Sequence, residues 1–226
     1  MSFVVAIDGP AGVGKGTIAK RVADDLGLIT IDTGATYRCV TVAIIDRGIK
    51  LDEIDKIKEL LKQIKIEMIL ENGETKVYLD GKDVTTRIRE DDVNNFVSAV
   101  STIKEVREEM GNLQRKLAEG KNVIMEGRDI GTVVFPNATV KIFLDASLEE
   151  RAWRRYNQNQ ETGIDKELSY EEVYESIKAR DYNDRNKPIG ALKQAEDAIL
   201  VDTTGKNIEE NIKQVEDIIN SKMKEC

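Results

Sequence analysis

Two hydrophobic periods take turns along this chain. Short apolar runs close on polar or glycine-rich turns, and most are followed by apolar residues at helical spacing. FVVAID at 3–8 is apolar on both faces, which predicts a buried strand of a parallel sheet. Ile18, Ala19, Val22, Ala23 and Leu26 then form the stripe of a helix that Gly27 ends. A second strand is expected at 28–31, closed by Asp32-Thr33-Gly34, with a helix from Ala35 to Arg47 behind it and Gly48 as its cap. Ile54, Ile57, Leu60 and Leu61 share one face of a helix over 53–63.

The period then changes. Ile66, Met68 and Leu70 alternate with polar residues, as do Val77 and Leu79, and Asn72-Gly73 and Asp80-Gly81 are hairpin turn signals. These features predict an antiparallel meander at 65–85 inserted into a chain of helices and parallel strands. Helical spacing returns over 91–102, where Val93, Phe96, Val97 and Val100 share a face near Ser98. It continues over 104–119, with Arg107 beside the stripe of Val106, Met110, Leu113 and Leu117. Further strands are expected at 122–125, 139–144 and 198–201. Helices are expected over 147–160, from the capping box Ser169-Tyr170-Glu171-Glu172 onward, and after Gly205, where Ile208, Ile212, Val215 and Ile219 form a stripe. The reading is an α/β chain with a small β insertion. The loop 158–168, which contains Gly163, is a candidate lid.

Composition narrows the chemistry. The 226 residues contain no histidine, which excludes Ser-His-Asp and Cys-His catalysis and His-ligated metals. Cys39 and Cys226 make no disulfide framework, and Cys39 reads as a core residue. A formal net charge of −8 argues against binding a nucleic acid polymer, so any phosphate site must be a local basic pocket. No apolar run approaches the ~20 residues of a membrane span, and the chain enters its first strand at once, so a cytoplasmic protein without a signal peptide is expected.

The chemistry centres on Gly9-Pro10-Ala11-Gly12-Val13-Gly14-Lys15-Gly16-Thr17, set between the first strand and the first helix. Such a loop turns backbone N–H groups toward a polyphosphate, the helix N-terminus adds positive charge, and Lys15 can reach the terminal phosphates. The usual pattern has Ser or Thr directly after the lysine. Here Gly16 intervenes, so Thr17 is only a possible Mg²⁺ ligand. Thr33 and Arg38 fall at the carboxyl end of a strand, where open α/β sheets bind ligands, although Arg38 also reads as a plain surface arginine. Glu126-Gly127-Arg128-Asp129 ends another strand. Arg151, Arg154 and Arg155 share a helix face, and Arg180, Asp184 and Lys187 share one if their helix continues toward Pro188. So many cations suit phosphoryl transfer, which rests on positioning and charge neutralisation.

IDGPAGVGKGT at 7–17, DTGATYR at 32–38, EGRDIGTVVFP at 126–136, KIFLDAS at 141–147, ERAWRR at 150–155 and IKARDYNDRNKP at 177–188, with the meander, resemble the bacterial cytidylate kinases, a branch of the nucleoside-monophosphate kinases. The resemblance covers the chain nearly end to end, and the Gly-Lys-Gly-Thr loop is that family's form. It implies a five-stranded parallel sheet flanked by helices: a single P-loop kinase domain over 1–226, with 65–85 as an inserted acceptor-binding subdomain and 151–168 as the lid. It implies that ATP lies on residues 9–17, with Mg²⁺. It assigns the CMP or dCMP acceptor to Thr33, Arg38, Ser98, Arg107, Arg128, Asp129, Arg180, Asp184 and Lys187. Ser98, Arg128 and Asp129 would serve base and ribose, Arg38 and Arg107 would clamp the phosphate, and Asp184 would read the sugar. Where this chain has Lys187 the family often has arginine, which keeps the charge but forms a bidentate fork. Lys15, Arg128, Asp129, Arg155 and Arg180 are the expected catalytic residues, with Arg151, Arg154 and Arg155 closing as the lid. A monomer is also implied. Two other readings stay open: a P-loop kinase for UMP, dTMP or another small acceptor, and a nucleotide-switch module suggested by Asp202-Thr203-Thr204-Gly205 and Asn186-Lys187-Pro188. In the second case the motifs stand in reversed order, and Ile189 occupies the position of the expected Asp.

Overall fold

β1 (Val4–Asp8) is buried along its whole length, as a five-residue run with no polar face until Asp8 requires. It lies at the centre of a five-stranded parallel sheet ordered β2 (Ile29–Asp32), β6 (Val123–Gly127), β1, β7 (Val140–Asp145) and β8 (Ile199–Asp202). The computed structural model describes residues 2–71 and 74–224. The predicted Asn72-Gly73 turn and Cys226 lie outside the described residues.

The described chain divides into two compact units, 1–31 with 118–226, and 32–117. In the first, β1 runs parallel to both β6 and β7, and β7 to β8. Asp8 is level with Gly127 and Phe143, so the segments at 9–17 and 128–129 leave the sheet at the same edge. Helices α1 (Lys15–Leu26) and α8 (Ile208–Met223) pack on the sheet through Ile18, Val22, Ile212, Val215 and Ile219, which share a core with Val5, Ile7, Ile124, Ile142 and Leu144. Helices α6 (Leu148–Thr162) and α7 (Tyr170–Arg185) form a pair with a small core of Ala152, Val173 and Ile177.

The second unit contains α2 (Thr33–Asp46), α3 (Ile54–Gln63), the three-stranded meander β3 (Ile66–Glu71), β4 (Glu74–Leu79) and β5 (Lys82–Asp83), α4 (Asp91–Val100) and most of α5 (Lys104–Ala118). The meander is antiparallel throughout, and Ile66, Val77 and Leu79 join the core built by Ile44, Ile57, Leu60, Val93, Val100 and Val106. Asp80 and Gly81 both take positive φ, 52° and 78°, as a tight hairpin turn requires.

Three local expectations change. Helix α2 starts at Thr33 rather than Ala35, because the Asp32 side chain caps it by accepting the Ala35 N–H. Phe96 faces outward, and the buried stripe of α4 is Val93, Val97 and Val100. The expected loop at 158–168 is helical as far as Thr162, where Gly163 at φ 75° caps α6 by donating to the Asn159 carbonyl.

Candidate functional site

The site of the first unit begins where β1 stops. Gly9 passes so near β7 that a Cβ added to it would lie 2.2 Å from the Leu144 carbonyl oxygen. Gly12, at φ 81°, lies against the backbone of Arg151. These two approaches fold the loop tightly over the end of the sheet. Lys15, the first residue of α1, is 5 % exposed, and its Nζ donates to the Pro10 carbonyl at 2.7 Å. Burial pushes the Lys15 ammonium down from 10.5 to about 7, Arg128 and Arg180 push it further down, and Glu126 and Asp8 hold it up. An ammonium whose burial and neighbouring cations weaken its hold on the proton is a candidate anion-binding group. Gly16 and Thr17 are exposed.

Asp8, which the sequence reading passed over, supports the opposite flank. Its Oδ1 accepts the Ile130 N–H at 2.8 Å and its Oδ2 the Gly131 N–H at 2.7 Å. Burial raises its carboxyl from 3.8 to about 6, against the pull of the two amides. Its signal was present in the sequence: it is the lone ionisable residue in a strand that the pattern buries on both faces.

Arg128, Asp184 and Lys187 come together. Arg128 Nε donates to Asp184 Oδ2 at 2.8 Å and Lys187 Nζ to Asp184 Oδ1 at 2.7 Å. Burial works to raise the Asp184 carboxyl, but the two cations outweigh it and hold it down at about 2. The helix ends at Arg185, so Lys187 reaches Asp184 from beyond its end rather than from a continued helix face. Asp129 is buried, and Arg180 is exposed.

The three arginines of α6 do not share one open face. Arg151 is 4 % exposed. It donates to the Ala146 and Ala11 carbonyls and pairs with Asp181 Oδ2 at 2.6 Å, which ties α6, α7 and the glycine loop together. Asp181, the second residue missed, keeps Oδ1 buried and without a hydrogen-bond partner. Nothing in the sequence pairs it with Arg151, thirty positions away. Arg154 pairs with Glu150 and donates to the Thr203 carbonyl at 2.7 Å. The Asp202–Gly205 turn thus anchors an arginine, and Asp202 itself accepts the Thr204 N–H. Arg155 is exposed, beside Gln158.

In the second unit, Arg38 on α2 donates to the Ile88 carbonyl and to Asn94 Oδ1. Arg107 on α5 is buried. It donates to the Ser101 carbonyl and lies 5.4 Å from the centre of the Tyr37 ring. Thr33 is buried at the first turn of α2, and Ser98 is half-buried on α4. Cys39 is fully buried, and burial lifts its thiol to about 12, so it is inert as a nucleophile.

Among the described residues, no three Asp, Glu or Cys side chains gather to hold a metal ion. Mg²⁺ commonly takes one or two protein oxygens and completes its shell with phosphates and water. The exposed Thr17 hydroxyl beside the loop fits that donor set. No helix among the described residues is long and apolar enough to cross a membrane.

Known proteins match this arrangement in sequence and fold. The family model described as cytidylate kinase matches residues 5–221. The cytidylate kinase of Fusobacterium nucleatum is 50% identical over 93% of this chain and 94% of its own length. That of Caldicellulosiruptor saccharolyticus is 47% identical over 93% and 92%. Among solved structures, the shikimate kinase of Bacteroides thetaiotaomicron superposes with a TM-score of 0.50 at 14% identity, over 96% of this chain and 98% of its own. At that identity the likeness speaks for the fold alone.

Proposed function

The chain belongs to the cytidylate kinase family, and from that membership we propose that it transfers the γ-phosphoryl group of ATP to CMP and dCMP, giving ADP and the cytidine diphosphates. The observation that carries the chemistry is the buried, depressed Lys15 ammonium with Arg128 and Arg180 as charged neighbours. A buried ammonium with two arginines near it is favoured by the arrival of polyphosphate oxygens, and the three cations would then neutralise the charge that builds up during transfer.

Residues 9–17 would wrap the ATP phosphates through their backbone N–H groups, and Lys15 would leave the Pro10 carbonyl for the phosphate oxygens. Thr17 would contribute an oxygen to Mg²⁺, which supplies charge neutralisation between the phosphates when bound. Arg38 and Arg107 would clamp the CMP phosphate. Thr33, Ser98, Arg128 and Asp129 would hold the rest of the nucleotide, and Asp184, fixed between Arg128 and Lys187, would read the sugar hydroxyls. An acceptor phosphate has a second pKa near ~6, so its attacking oxygen is ionised at neutral pH and needs no general base. A chain without histidine is suited to this reaction. Arg180 and the exposed Arg155 would meet the transferring group. Arg151 and Arg154, held by Asp181, Glu150 and Thr203, would instead set the position of α6. We take the protein to work in the cytoplasm as a monomer on two small nucleotides.

A coupled ADP-release assay over CMP, dCMP, UMP, AMP and dTMP tests the reading. CMP and dCMP should show the highest kcat/KM. Equal or better turnover of UMP or dTMP would make this another small-acceptor kinase.

A further inference from the structure

We propose that Asp8 is a positioning residue for the acceptor side of the reaction: it fixes the chain that carries Arg128 and Asp129, so that ordering of the acceptor depends on a carboxylate lying next to the ATP loop. This rests on the reading of Arg128 and Asp129 as acceptor contacts.

The segment after Asp129 is one wide helical turn, Ile130–Val134. The Val134 N–H reaches back to the Asp129 carbonyl and the Phe135 N–H to that of Ile130. Such a turn has unsatisfied N–H groups at its start, and single wide turns are uncommon without outside support. Asp8 supplies the support. Its two oxygens take the first two amides of the turn, one each, at 2.8 and 2.7 Å. The far end is held from the neighbouring strand, where the buried Lys141 donates to the Pro136 carbonyl and to Asp197. Two buried charged residues on neighbouring central strands, Asp8 at the end of β1 and Lys141 on β7, thus clamp the 130–136 segment from both ends. Arg128 and Asp129 emerge just before it, and their placement follows from where the turn is pinned.

A purely structural role explains this geometry poorly. Burial raises the Asp8 carboxyl well above its ordinary range, so the ionised form is a burden on the fold at neutral pH. An apolar residue would satisfy the strand. What only a carboxylate does here is accept two successive N–H groups at once.

Asp8→Asn keeps the shape but turns one oxygen into an NH₂ that faces an N–H, so one of the two anchors becomes repulsive. Steady-state kinetics should show KM for CMP raised about tenfold or more, as loss of one buried hydrogen bond implies, with KM for ATP changed less than about threefold. Gly131→Ala provides a second route that leaves Asp8 intact. Its new Cβ would lie 3.2 Å from Lys141 Cδ and 3.4 Å from Asp8 Oδ2, so the two side chains that hold the turn must shift by a few tenths of an ångström. It should show the same split, and it stands in if Asp8→Asn does not fold. A parallel rise in both KM values, or a rise for ATP alone, would tie Asp8 to the loop and overturn the proposal, as would unchanged constants. Arg128→Ala is the control for the underlying reading. If it leaves KM for CMP untouched, the assignment of Arg128 fails. If it raises that KM while Asp8→Asn and Gly131→Ala do not, only the role of Asp8 falls.

Discussion

Lys15→Met should make the protein more stable at neutral pH, and the gain should vanish as pH rises. The ammonium is 5 % exposed, and burial with two cationic neighbours lowers it from 10.5 to about 7. A displacement of that size corresponds to roughly 5 kcal/mol against the charged form in the folded state. Below pH 7 both folded and unfolded chains carry the charge, so the full penalty is present. Between about 7 and 10.5 the folded state releases the proton while the unfolded state keeps it. The unfolded state then binds more protons, and wild-type stability from this group rises with pH by up to ~1.4 kcal/mol per unit. Methionine removes the penalty at every pH, but it leaves the Pro10 carbonyl without its donor, a cost of about 1–3 kcal/mol. The variant should therefore lead by about 2–4 kcal/mol at pH 6.5, and its lead should shrink by about 3 kcal/mol by pH 9.5.

The assay is urea unfolding without nucleotide at pH 6.5, 8.0 and 9.5. Trp153, the chain's one tryptophan, lies in the same unit as Lys15 and serves as the fluorescent probe. A lead that does not change with pH would refute the reasoning, because it would show that Lys15 stays charged in the fold throughout. The same electrostatics implies proton uptake on ATP binding. At pH 8.0 the wild type should take up close to one proton per ATP, read from calorimetry in two buffers of different ionisation enthalpy, and Lys15→Met should take up none. Turnover in Lys15→Met should fall by about 10²–10³ or more, since a preorganised charge has been removed.

Gly9→Ala should cost the first unit about 3 kcal/mol or more, read as a loss of thermal stability, because its Cβ cannot coexist with the Leu144 carbonyl 2.2 Å away. Arg151→Ala leaves the Asp181 carboxylate buried without its counter-charge and should destabilise by about 3–5 kcal/mol in urea unfolding. The double variant Arg151→Met with Asp181→Leu should recover most of that loss, and a double variant as unstable as Arg151→Ala would contradict the account.

The fold was readable because its signals are local and repeated. Each strand of the main sheet announces itself as an apolar run, and the meander by a switch to period two with Asp80-Gly81 at its second turn. Boundaries moved where one side chain decided the matter. Asp32 caps α2 two residues earlier than the helical stripe suggests, and Gly163 lets α6 run to Thr162. Parallel register, which brings Asp8, Gly127 and Phe143 level, has no local signature. Asp8 accordingly passed unnoticed, because its partners at 130 and 131 lie more than a hundred residues downstream.

A sequence shows charges but not their partners. Arg128, Arg151, Arg154 and Lys187 all occur in segments that resemble a nucleotide kinase, and each has an acid in contact: Asp181 for Arg151, Glu150 for Arg154, and Asp184 for both Arg128 and Lys187. Arg151, itself buried, would have to give up Asp181 to turn toward a phosphate, and breaking a buried pair costs about 3–5 kcal/mol. Lys15 is in the opposite position. Its charged neighbours are two arginines and two acids, Glu126 and Asp8, its Nζ donates to a neutral carbonyl, and burial leaves its proton weakly held. The group that gains most from an arriving polyphosphate is the one the folded chain stabilises least. The 9–17 loop is therefore marked more by the weak hold on its lysine's proton than by the number of basic residues around it, and on the same reasoning we propose that Arg151 and Arg154 hold α6 in place.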